Sequence, residues 1–123
     1  MTIDEYRKLT KPKRNKYGNK RADGFDSQKE ADRYSDVLLP LLRAGKIKNL
    51  QRQVHYELIP RQAKNGHKLR AAEYIADFVY TDAETGEQIV EDVKGYRGGE
   101  AYRLFMLKKK LMLERWGIWV NEI

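Results

Sequence analysis

Two stretches, Tyr74-Ile75-Ala76-Asp77-Phe78-Val79-Tyr80 and Ile89-Val90-Glu91-Asp92-Val93-Lys94-Gly95, decide how the chain is read. Both are rich in β-branched and aromatic residues, and a turn-forming segment, residues 82–86, lies between them. They read as neighbouring antiparallel strands. Side chains alternate along a strand, so Ile75, Asp77 and Val79 share a face, as do Val90, Asp92 and Lys94, while Glu91 points the other way. A four-residue loop over 83–86 sets Asp77 directly opposite Asp92; a slip of one residue would send them to opposite faces.

Opposed side chains on paired strands lie about 4.5–5.5 Å apart at Cβ, where two like charges repel. Both acids also stand among apolar neighbours, where an uncompensated carboxylate is costly. A divalent cation held by Asp77 and Asp92 would compensate them, and hard oxygen donors suit Mg²⁺ or Mn²⁺. Lys94, two residues on, reaches the same spot. The bland alternative is an ordinary Asp92–Lys94 ion pair, with Asp77 turned to solvent.

Outward from this pair, residues 53–60 alternate with Val54, Tyr56 and Leu58 on one face, which reads as a strand. Asn65-Gly66 is a hairpin turn signal, and a second strand is expected over 68–80. A third covers 87–94. Before them, Ser27-Gln28-Lys29-Glu30 has the form of a capping box opening a helix through Tyr34, Val37, Leu38 and Leu41, which Pro40 should kink or end and Gly45 should stop. Glu30 falls inside the apolar arc of that helix, where it either caps the helix or faces the metal site. After the loop 96–99, helical spacing returns over 100–116, Gly117 sits at the C-cap position, and 118–123 reads as a short strand. Lys108 lies near the centre of the stripe Ala101, Leu104, Phe105, Leu111 and Met112, so it either snorkels outward or projects toward a charged site.

The 123 residues suit one domain, with 25 Lys and Arg against 18 Asp and Glu. Eight of the cations fall before residue 22, and no acid stands between Arg7 and Arg21. Residues 1–23 thus read as a flexible basic arm suited to nucleic-acid phosphates, with a solvated tail as the alternative; 24–123 form the domain. With no cysteine, disulfide frameworks, thiolate zinc sites and cysteine nucleophiles are excluded. His55 and His67 lack partners at metal-ligand spacing, and Gly95, Gly98 and Gly99 form no phosphate-binding loop. No apolar run approaches transmembrane length, and the first residues lack the apolar stretch of a secretory signal; a cytoplasmic protein is expected.

Glu30, Asp77 and Asp92-Val93-Lys94, in a helix–three strands–helix–strand order, resemble the PD-(D/E)XK nuclease superfamily. Phe25-Asp26-Ser27-Gln28-Lys29-Glu30, 74–80 and 91–95 are similar to small phage and prophage proteins of that superfamily, akin to Holliday-junction-resolvase-like endonucleases. The resemblance covers about residues 15–123. It departs from the motif at Ala76, where the motif's name has proline. It implies an α/β restriction-endonuclease-like core with a central mixed sheet flanked by helices, and a Mg²⁺-dependent endodeoxyribonuclease in which Mn²⁺ substitutes. Asp77 and Asp92 would bind metal with Glu30, the helix Glu of the resolvase-like branch, and Lys94 would assist attack. The arm residues Lys13, Arg14, Lys16, Lys20 and Arg21, with Arg97 and Lys108, would hold the DNA backbone. Branched DNA is the expected substrate, a homodimer follows if it is a four-way junction, and a phage or prophage origin is implied. The alternatives are a nuclease on ordinary duplex and an inert DNA-binding or phage-assembly protein on the same fold.

Overall fold

The computed structural model describes residues 24–123. The described residues fall into two units, 24–45 and Lys46–Ile123. In the first, Ser27 adopts the extended N-cap conformation and its Oγ accepts the Glu30 N–H at 3.1 Å. Helix α1 (Gln28–Asp32) runs into a π-helical stretch (Arg33–Leu38) and then α2 (Leu39–Arg43). The Leu39 N–H reaches back five residues to the Tyr34 carbonyl. This widened turn explains why Pro40 neither ends nor breaks the helix: proline lacks an N–H and its ring crowds the carbonyl four residues back, and the wider turn relieves both. Gly45, at φ 72°, stops the helix as its sequence position suggests.

The second unit is α/β, with a mixed four-stranded sheet ordered β1-β4-β5-β6. Its strands are β1 (Ile47–Ile59), β4 (Ala72–Asp82), β5 (Gln88–Asp92) and β6 (Val120–Glu122); the first three are antiparallel and β6 runs parallel to β5. The expected strand over 68–80 is broken. Its first part is β3 (His67–Leu69), which pairs with β2 (Gln62–Lys64) in a separate ribbon. Pro60 has no N–H for a ladder, so the long β1–β4 pairing ends there and restarts beyond it. At the ribbon tip Asn65 and Gly66 both have positive φ, 52° and 80°, the conformation of a two-residue type I′ turn.

Helix α3 (Gly99–Trp116) ends at Gly117 in the left-handed region, whose N–H caps the Leu113 carbonyl. It packs on Leu58, Tyr74, Ala76, Val79, Val90 and Val120 through buried Phe105 and Met112, with Tyr102, Met106 and Leu111 at the margin. The expected stripe is rotated: Ala101 and Leu104 are exposed, Lys109 lies in the covered arc, and Lys108 is half-buried at its edge. The rotation follows from the aromatic rings, since Tyr102 and Phe105 fill the face that meets Tyr74. No helix among the described residues is long and apolar enough to cross a membrane.

Candidate active site

The pairs Phe78↔Glu91, Val79↔Val90, Tyr80↔Ile89 and Thr81↔Gln88 follow the four-residue loop, and the ladder ends one residue short of Asp77 and Asp92. There the ladder gives way to a side chain: the Val93 N–H donates to Asp77 Oδ2 at 2.8 Å. Gln53, whose own backbone is left-handed at φ 52°, donates through Nε2 to Asp77 Oδ1 at 3.3 Å. Asp77 is therefore held by two donors and does not simply turn to solvent.

Asp92 is buried at 7% exposure and doubly engaged. Tyr74 Oη donates to its Oδ2 at 2.8 Å, and Lys94 Nζ lies 2.9 Å from its Oδ1. Burial first, and then the charge and hydrogen bond of Asp92, push the Tyr74 phenol well above the ordinary tyrosine range, so Tyr74 remains a donor at every working pH. The Lys94 ammonium also rests 3.5 Å from the centroid of the Phe105 ring, a cation–π seat supplied by α3. The Asp92–Lys94 ion pair of the bland alternative thus exists, inside a larger cluster.

An ionised carboxylate has about four lone-pair positions, so Asp77 and Asp92 keep acceptor capacity after these bonds. Two carboxylates at the ends of paired strands offer the hard donors that Mg²⁺ takes while retaining several waters. Among the described residues no three His, Asp or Glu side chains gather to hold an ion. Glu30 is buried at 2% exposure in the other unit. The arm residues Lys13, Arg14, Lys16, Lys20 and Arg21 lie outside the described residues.

Beside the cluster, the parallel register pairs Asp92 with Glu122. Glu122 accepts from Tyr102 Oη at 2.6 Å and Lys109 Nζ at 2.8 Å, and Arg97 Nε stands 3.5 Å away. The hydrogen bonds of Lys109 and Tyr102 lower its pKa below the ordinary value, and Lys109 in turn lies 4.3 Å from the Trp119 ring centroid. On β5, Glu91 is buried at 2% exposure and accepts from Tyr80 Oη at 2.5 Å.

Sequence reasoning missed Tyr74, Gln53, Glu122 and Lys109. Tyr74 stands three residues before Asp77, an odd step that strand alternation assigns to the opposite face. Nothing in the sequence signals the left-handed Gln53, because that conformation belongs to glycine and asparagine far more often.

The chain matches no curated protein and no solved structure. A family model described as "Protein of unknown function (DUF1064)" matches residues 14–120, and the chain belongs to that family.

Proposed function

We propose that the protein is a metal-dependent DNA endonuclease of the PD-(D/E)XK type, with a restriction-endonuclease-like core and branched DNA as its preferred substrate. The observation that carries the reading is that Asp77 and Asp92 stand at adjoining ends of paired strands, Asp77 held by the Val93 N–H at 2.8 Å and Asp92 beside the Lys94 ammonium at 2.9 Å. A structural ion pair needs one acid and one base; here two acids converge from adjacent strands, in the order and spacing of the nuclease motif.

In this reading Asp77 and Asp92 would hold Mg²⁺, with Mn²⁺ as a substitute. Bound there, the ion supplies an activated water and a polarised phosphate. The protein's own groups do the positioning. Tyr74 donates to Asp92 and the Val93 amide to Asp77, so each carboxylate is held in a fixed orientation. Lys94 places a cation beside Asp92, where it orients the attacking water or offsets charge developing on phosphate oxygens. Phosphodiester hydrolysis then proceeds in line, leaving 5′-phosphate and 3′-hydroxyl ends. A homodimer supplies the two sites that paired cuts across a junction require.

Asp77→Ala and Asp92→Asn should each abolish cleavage of labelled DNA while leaving binding intact or tighter, because repulsion between carboxylate and phosphate is removed. Normal cutting by either variant would overturn the metal-site assignment.

A further inference from the structure

The β2–β3 ribbon has no part in the cluster described above, and its composition is one-sided. From Leu58 to Ala72 the chain carries Arg61, Lys64, Lys68 and Arg70 and no acid. Every residue from 59 to 70 is exposed, on both faces of the ribbon and at its tip. None of the four cationic side chains is engaged by another described residue, whereas Lys94, Arg97, Lys109 and Arg115 of the same unit all have carboxylate partners. Charges kept only for solubility work equally well with mixed signs.

The register distributes these cations. Lys68 pairs with Ala63 and so projects on one face, Lys64 pairs with His67 on the other, and Arg61 and Arg70 flank the base. Two strands spaced about 4.8 Å apart make a ribbon narrower than the roughly 12 Å major groove of B-form DNA, which admits such ribbons. Cations on both faces suit a position between two phosphate walls better than a flat anionic surface, which would leave one face unpaired.

We propose that the β2–β3 ribbon enters the major groove of a duplex arm, with Arg61, Lys64, Lys68 and Arg70 meeting phosphates on either side. This rests on the reading of the protein as a DNA enzyme and names the part of the fold that takes up duplex. The contacts are to the backbone, so the ribbon supplies affinity and register on the duplex with little reading of sequence.

The test measures binding of a labelled linear duplex to the full chain in EDTA, so that nothing is cut, across a range of salt concentrations. The variant replaces all four cations (Arg61→Gln, Lys64→Gln, Lys68→Gln, Arg70→Gln), and all four side chains are exposed, so the fold should survive. If all four meet phosphates, the slope of log affinity against log salt flattens by about 3.6, at about 0.9 per contact. Duplex methylated at guanine N7, which faces the major groove, should bind the native chain more weakly and the variant no differently. An unchanged slope overturns the proposal, as does a native chain that binds no duplex, the result expected if the ribbon serves an acidic protein. A flatter slope with no effect of methylation places the contacts outside the groove and overturns the insertion. A flattened slope in the quadruple variant with no cleavage by the native chain in Mg²⁺ would leave the ribbon standing and remove the nuclease reading.

Discussion

At the scale of single residues, the account turns on how Asp92 is held. Its Oδ2 receives the Tyr74 hydroxyl and its Oδ1 the Lys94 ammonium, in a setting 7% exposed. Tyr74→Phe removes the donor and leaves a buried carboxylate oxygen short of a partner, which should cost about 1.5–3 kcal/mol by the usual value of a hydrogen bond to a charged group. Urea denaturation of the metal-free protein reads this directly, and a loss below about 0.5 kcal/mol would show that water replaces the phenol. From the sequence alone Lys94 is a catalytic candidate whose loss spares stability. The structure adds two structural partners, Asp92 and the Phe105 ring, so Lys94→Ala is expected to lower both cleavage and stability. The carboxylates and the lysine were legible because strand alternation and loop length fix their faces. Tyr74 and Gln53 were not, since one acts from a neighbouring residue pair and the other through an unusual backbone angle.

At the scale of elements, Glu122 ties β6 to α3 through Tyr102 and Lys109 and reaches the loop before α3 through Arg97. Its pKa lies below the ordinary 4.5, chiefly through the Lys109 hydrogen bond. A carboxyl whose folded value is depressed contributes stability that is complete above its unfolded value and is lost as pH falls through the folded one. The melting temperature of the native chain should therefore exceed that of Glu122→Gln near neutral pH, and the gap should close as pH drops below 4.5. A gap that stays constant down to pH of about 3 would mean that the charge of Glu122 contributes nothing to the clamp. Most element boundaries were legible from caps and turns: Ser27, Gly45, Asn65-Gly66 and Gly117 all act where their chemistry suggests. The faces of α3 were less so, because Ala101 and Leu104 fit an apolar stripe as well as Tyr102 and Lys109 do, and only the rings packed against Tyr74 decide between them. Pro40 misled for a similar reason, since a π turn leaves no mark in the sequence.

At the scale of the whole molecule, charge and order carry the reading. Helix, paired strands, helix and strand follow one another, and the surplus of seven positive charges is concentrated in residues 1–23 and the ribbon. Deleting residues 1–16 removes six cations, Arg7 to Lys16, and should flatten the salt dependence of DNA binding by about 5 log units per log unit of salt if all six meet phosphates. A slope that does not move would make the arm a passive tail and leave the ribbon as the main positive contact. The ribbon's charge was not legible beforehand, because Arg61 and Lys64 fall between the expected strand and the Asn65-Gly66 turn, and Lys68 and Arg70 inside the strand expected over 68–80.

The measurement that bears most directly on the central claim is incubation of the purified protein with a labelled four-way junction and a matched linear duplex, each with Mg²⁺, Mn²⁺ or EDTA, beside Asp92→Asn. Paired nicks are expected in the junction with either metal, with weaker cutting of the linear duplex and none in EDTA or with the variant. Intact DNA in every lane, or equal cutting by Asp92→Asn, would contradict the claim.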